Sequence, residues 1–368
     1  MTPSVGIRAL SVAFPSVRRT NDFWRRRHPE LVATAERATL ARVWKEHERG
    51  PAATEAFDAE MAPYLRDPFR GTIHRRVLGP GESALGLEVR VAREALAIAE
   101  LEPKDVECLL VTSFLPDQIG IGNATFLAKA LELRGAAFNL ETACTSAPAA
   151  LQTATALVRS GEYERVMVVV SCTYSRVAQE DDTLGWFMGD GAAAFIVGRE
   201  AEGRGVLATR IVNTAATCNT FYYDLFDDPA KGLKVRIQAH ERTGRVLRDT
   251  SQPYLLECCQ GAMGKAGVGL EDIAFFVFNT PTAWYGAFCA RALGVSPART
   301  LTTYPEYANI GPALLPVNLH RAARDGRIKP GDLVLAYSIG SASSAGAVVM
   351  RWGDVALGAA PREPEVID

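Results

Sequence analysis

Ala136-Ala137-Phe138-Asn139-Leu140-Glu141-Thr142-Ala143-Cys144-Thr145-Ser146-Ala147-Pro148-Ala149-Ala150 is a short apolar strand running into a helix of small residues, with a cysteine at the turn. A helix start leaves backbone N–H groups unpaired and carries the positive end of the helix dipole. Both favour a thiolate, so the turn is expected to lower the pKa of Cys144 and make it a nucleophile. The pattern returns in the second half with Asn309 in the cysteine's place. Cys144 is followed by a helical stretch, Gly161 and the apolar run 166–171; Asn309 is followed by a helical stretch, Gly326 and the apolar run 333–338. The spacing to the glycine is 17 residues in both.

The repeat extends in both directions. Residues 102–112 parallel 269–279, and residues 191–198 parallel 345–352. Each half reads as strand, helix, strand, helix, strand, strand. The strands are continuous apolar runs, the pattern of sheets covered by helices on both faces. This predicts a duplicated α/β chain with an N-terminal half at 1–200 and a C-terminal half at 201–368. A nucleophile on one copy and a polar hydrogen-bonding residue on the other point to an active site at the junction.

Bulk properties exclude several classes. Of the 368 residues 48% are hydrophobic, ample for a large core. A net charge of −2 gives no reason to expect nucleic acid or a membrane surface as partner. No apolar run approaches the roughly 20 residues of a membrane span. The opening residues run straight into a strand with no signal-peptide core, so a cytoplasmic protein is expected. The seven cysteines, at 108, 144, 172, 218, 258, 259 and 289, lack metal-ligand spacing and mostly sit in apolar runs, so no metal site is read.

Residues 22 to about 72 break the α/β rhythm. They are charged and helix-prone, with Trp24-Arg25-Arg26-Arg27-His28 and Ala38-Thr39-Leu40-Ala41-Arg42-Val43-Trp44-Lys45 punctuated by Pro51, Pro63 and Pro68. This is a helical insertion, either packed over the core near an entrance or a solvated decoration. The tail after Gly358 is expected to fray.

Five segments together resemble the thiolase superfamily, and within it the β-ketoacyl-acyl-carrier-protein synthase III family. They are Gly6-Ile7-Arg8 with Phe14-Pro15 and Thr20-Asn21; Glu141-Thr142-Ala143-Cys144-Thr145-Ser146; Phe187-Met188-Gly189-Asp190-Gly191-Ala192-Ala193-Ala194; Tyr307-Ala308-Asn309-Ile310-Gly311; and Ile339-Gly340-Ser341-Ala342. The resemblance implies a five-layered αβαβα fold, a dimer, and a cysteine that accepts an acyl group from a thioester. It also implies a Cys-His-Asn constellation, and here the chain departs. The family's histidine follows the strand at 274–278, where this chain reads Asn279-Thr280-Pro281, with Asn279 or Thr280 at the histidine's place. No histidine lies between 241 and 319.

The departure shapes the expected chemistry. Cys144 can still be acylated, with the backbone N–H groups of Cys144 and Ser341 as oxyanion donors. Decarboxylation of a malonyl thioester needs strong donors at the enolate, and asparagine cannot act as acid or base. The expected activity is therefore acyl transfer. The acyl group would pass from acyl-CoA or a phosphopantetheine thioester to a carrier-protein thiol or small-molecule acceptor, as in natural-product (polyketide) pathways. Catalysis is assigned to Cys144, Asn309 and Asn279, with an acyl carrier protein as partner and no permanently bound cofactor. The alternatives are a decarboxylative condensing enzyme and a non-catalytic ketosynthase partner subunit.

Weaker candidates remain. Arg75 and Arg76 can contact a phosphopantetheine phosphate or an acidic carrier, or simply form a solvated basic face. Trp186, Phe187 and Trp284 can line an acyl tunnel or belong to the core. Asp190, between two glycines, reads as a structural acceptor in a tight turn.

Overall fold

The apolar runs become the interiors of two sheets. The computed structural model describes residues 3–38, 55–228, 232–341 and 343–368. In the first sheet the strands lie in the order Ala356–Leu357, Val5–Ala13, Asp190–Arg199, Val166–Thr173, Cys108–Phe114, Ala136–Asn139. The second has Phe275–Phe278, Leu333–Ile339, Ser344–Arg351 and Gly205–Asn213. The duplication is visible in the pairing. Cys108–Phe114 runs parallel to Val166–Thr173, as Phe275–Phe278 does to Leu333–Ile339. The next two neighbours are antiparallel in both sheets. Among the described residues, Ala136–Asn139 has no strand counterpart in the second sheet.

Helices Ser146–Ser160 and Leu314–Arg324 lie between the sheets and touch both. Small residues suit that sandwiched place, and Ala147, Ala150 and Ala154 join Leu314, Val317 and Leu319 in one central core cluster. Ala84–Ile98 and Ala124–Leu131 cover the outer face of the first sheet; Thr243–Ala266 and Tyr285–Leu293 cover that of the second. The result is the five-layered αβαβα thiolase fold.

The described parts of the insertion pack into the core. Helices Asn21–Arg27 and Pro29–Ala38 pack Phe23, Trp24, Val32 and Ala35 against Phe69, Trp186 and Phe187. Helix Glu55–Met61 sends Phe57 and Met61 into the core beside Trp284 and Phe288. Positions 39–54, including the 39–45 stretch and Pro51, fall outside the described residues. The tail does not fray. Val366–Ile367 pairs in parallel with Val17–Thr20, and the Asp368 N–H donates to the Arg18 carbonyl at 2.8 Å.

Candidate active site

Two matching strained turns build the site. Ala143 precedes Cys144 at φ +51°, and Ala308 precedes Asn309 at φ +58°. Neither is glycine, and backbone in this region costs on the order of 1–3 kcal/mol and concentrates at functional sites. The repeat is legible as Glu141-Thr142-Ala143-Cys144 against Glu306-Tyr307-Ala308-Asn309. The first turn is pinned locally. Glu141 Oε1 accepts from the Ala143 N–H at 2.6 Å, and Ser146 Oγ donates to the Ala143 carbonyl at 2.7 Å. A short 3₁₀ turn, Ala143–Thr145, then feeds the central helix.

The second turn is pinned by its neighbour in the other half. The Asn309 N–H donates to the Phe187 carbonyl at 2.9 Å, and the Gly189 N–H donates to the Asn309 carbonyl at 3.0 Å. Only glycine fits at 189, because a Cβ there would stand 2.3 Å from the Tyr307 carbonyl oxygen. Asn309 Oδ1 accepts from the Gly311 N–H at 2.9 Å. Its Nδ2 has no protein partner among the described residues.

Cys144, Asn309, Ser341 and Glu141 share a cavity of about 420 Å³. Much of its lining is apolar, from Phe114, Phe187, Leu247 and Ile339 together with Phe221 and Ile237. The last two come from the hairpin Phe221–Asp228 and Gly232–Ala239. The Ser341 N–H has no backbone partner among the described residues, and the Cys144 N–H turns to its own sulfur.

Asn279 is not in this cavity. It is 1% exposed, and its Nδ2 donates to Ser338 Oγ at 3.0 Å, the Gly311 carbonyl at 3.2 Å and the Cys144 carbonyl at 3.3 Å. Ser338 Oγ donates to the same Cys144 carbonyl at 2.7 Å. Asn279 therefore braces the nucleophile turn from behind, and the expectation that its side chain reaches a bound acyl group is corrected. Thr280, also buried, spends its hydroxyl on Thr302 and Asn318. Of the segment 279–281 only Pro281 meets the cavity.

The charge state of the cysteine also corrects the sequence reading. Burial, helped by the nearby Glu141 carboxylate, pushes the Cys144 thiol up to about 12 against the opposing hydrogen bond from the Tyr174 hydroxyl. Desolvation outweighs the helix start, so the resting nucleophile is a thiol. Burial and the neighbouring Cys144 hold the Tyr174 hydroxyl well above its ordinary value, which keeps it a donor. Sequence reasoning missed Tyr174. The available signal was its place directly after the central strand Val166–Thr173, at the strand end that faces the cysteine turn.

Arg75 and Arg76 are not surface contacts. They are 0% and 3% exposed. Arg75 donates to the Trp186 carbonyl and to Asn21 Oδ1 and stacks on Trp24; Arg76 donates to the Pro15 and Arg362 carbonyls. Both guanidiniums are buried and turned to backbone acceptors, which keeps them from a phosphate on the surface. Phe187 lines the cavity, whereas Trp186 and Trp284 are core. Asp190 is a buried acceptor for the Leu78 and Ser175 N–H groups, both at 2.8 Å. No histidine among the described residues lines the cavity; His320, the one in the helix after Asn309, meets the Gly358 carbonyl instead. His47 lies outside the described residues.

Comparison with known proteins gives one family throughout. The model of 3-oxoacyl-[acyl-carrier-protein (ACP)] synthase III matches residues 138–215, its C-terminal counterpart residues 263–352, and the β-ketoacyl synthase N-terminal domain residues 85–176. The β-ketoacyl-[acyl-carrier-protein] synthase III of Rhizorhabdus wittichii is 31% identical over 286 residues, covering 77% of this chain and 88% of that protein. The structure of 3-oxoacyl-[acyl-carrier-protein] synthase III from Aquifex aeolicus superposes with a TM-score of 0.76 at 22% identity, over 95% of this chain and all (100%) of that one. A 3-oxoacyl-(acyl-carrier protein) synthase from Burkholderia xenovorans gives 0.78 at 18% identity, over 98% and 97%. With the duplicated fold and the cysteine and asparagine turns already in place, these matches make the chain a member of the β-ketoacyl-[acyl-carrier-protein] synthase III family of acyl-transferring enzymes.

Proposed function

We propose that this chain is a cysteine-dependent acyltransferase that forms no carbon–carbon bond. It takes an acyl group from a CoA or carrier-protein thioester onto Cys144 and passes it to a carrier-protein thiol or a small-molecule acceptor. One observation carries the reading. At Asn279 and Thr280, the two positions where the resemblance places the family's histidine, neither residue lines the cavity. The Asn279 amide donates to the Cys144 and Gly311 carbonyls, and the Thr280 hydroxyl accepts from Thr302 and Asn318. Acylation needs a sulfur nucleophile and oxyanion donors, which Cys144, Ser341 and Asn309 supply. Stabilising an enolate needs a further strong donor facing the cavity, and the Tyr174 hydroxyl that lines it is already committed to the Cys144 sulfur. Loss of one such donor costs on the order of 10²–10³-fold in rate. A thiol acceptor, with an ordinary pKa near 8.5, is the easiest one to activate.

The test follows both reactions in one vessel. Enzyme, acyl donor and labelled malonyl carrier protein are incubated, and CO₂ release is compared with acyl transfer. Transfer is expected to exceed decarboxylation by at least about 10²-fold. Condensation at a comparable rate would make the chain a decarboxylative synthase with an unusual triad.

The same reading includes a homodimer. Strand Ala136–Asn139 is the outer edge of the first sheet, with neither charge nor proline to protect it and with Phe138 42% exposed. An edge of that kind is open to pairing with another chain, here a second copy. Phe138→Lys is expected to convert a dimer to monomer in sedimentation; an unaltered dimer would place the interface elsewhere. Among the described residues no helix is long and apolar enough to cross a membrane.

A further inference from the structure

Glu141 is the one carboxylate among the described residues lining the Cys144 cavity. Its counterpart in the repeat, Glu306, pairs with Arg321 at 3.5 Å. Glu141 has no such cation among the described residues. The groups facing it are Cys144, the buried Cys172 sulfur, Tyr223 and Ser146, and Tyr174 bonds the nucleophile itself. None of these carries a positive charge. An unneutralised carboxylate thus sits three residues from the nucleophile, in a cavity that lacks the family's imidazole.

We propose that Glu141 is the general base of this enzyme; the assignment rests on the acyl-transfer reading of Cys144. In the first half-reaction its carboxylate takes the proton from the Cys144 thiol as Sγ attacks the donor thioester carbonyl. The tetrahedral oxyanion collapses, the bond from carbon to the donor sulfur breaks with its electron pair, and the Glu141 carboxyl returns the proton to that thiolate. In the second half the carboxylate takes the acceptor's S–H proton as the acceptor sulfur attacks acyl-Cys144, then protonates the departing Cys144 sulfur. Protons and electrons balance without any co-reactant.

The electrostatics suit the role. Glu141 is solvent-accessible, yet desolvation of its carboxyl pushes it up to about 7, with the Ala143 N–H and Ser146 opposing. General bases work best when their pKa lies near the operating pH. A thiol at about 12 holds its proton until attack, so a base that moves the proton during the step is what the cavity requires. The competing role is purely positional, because Glu141 Oε1 also holds the strained Ala143 turn.

Glu141→Gln separates the two roles, since the amide oxygen can still accept from the Ala143 N–H while basicity is lost. The probes are an acyl-CoA donor and pantetheine as acceptor, with acyl-Cys144 followed by intact mass. The expected result is a fall of roughly 10²–10⁴-fold in both half-reactions, the usual worth of a general base. In the native enzyme the rate should fall about tenfold per unit as pH drops below about 7 and Glu141 takes up its proton. In the variant that inflection should vanish, leaving one near 8.5 where the acceptor thiol ionises unaided. A variant with the native rate and profile, or a slow variant that keeps the inflection near 7, overturns the assignment. Should the variant fail to fold, a native profile without an inflection between about pH 6 and 8 overturns it equally. Absence of acyl-Cys144 in the native enzyme at every pH would be a different failure, that of the acyl-transfer reading itself.

Discussion

Cys144→Ala is expected to remove acyl transfer altogether while leaving the fold intact. No other cysteine can take over. Cys108, Cys172, Cys258, Cys259 and Cys289 are buried in core strands and helices, and burial drives their thiols upward. Cys218 is exposed but does not line the cavity. Losing the nucleophile of a cooperating catalytic set typically costs on the order of 10⁴-fold or more. Alanine keeps the Cβ, and the turn hangs on backbone groups, with the Cys144 carbonyl held by Ser338 and Asn279. Melting behaviour should therefore stay close to native. Intact-mass analysis after exposure to acyl thioesters is the check, and acylation of the alanine variant at another residue would displace Cys144 from its role.

The fold was legible because it is written twice. Continuous apolar runs with matching spacings to Gly161 and Gly326 specify buried strands and sandwiched helices, and the same neighbour order appears in both sheets. The positions of Cys144 and Asn309 followed from the same register. Spacing places a residue on a turn but does not say which way its side chain points. Asn279 stands at the predicted turn, yet three acceptors behind the nucleophile claim its amide. Arg75 and Arg76 read as surface charge because local sequence carries no sign of the carbonyls of Trp186, Pro15 and Arg362 that they serve. The cysteine's pKa failed for a related reason. A helix start is a local feature that sequence shows, whereas the walls that desolvate the sulfur come from segments as distant as Tyr174 and Tyr223. Tyr174 itself was hidden because an aromatic after an apolar strand usually means core.

Asn309→Asp is expected to lower acyl transfer by at least 10²–10³-fold, the cost of removing one oxyanion donor. The substitution isolates the donor from the turn. Asn309 Oδ1 accepts from the Gly311 N–H, and an aspartate oxygen can do the same, so the strained Ala308 backbone and its ties to Phe187 and Gly189 should survive. What changes is the group with no protein partner among the described residues. An N–H that would meet the developing oxyanion becomes a carboxylate oxygen, which repels it. That repulsion adds to the loss of the donor and places the effect at or beyond the upper end of the range. Cys144 remains chemically intact in this variant, so acylation should be slow but measurable, with kcat falling more than KM rises. Native rates in a variant of native melting temperature would show that Asn309 only shapes its turn, and would leave the Ser341 N–H to carry the oxyanion.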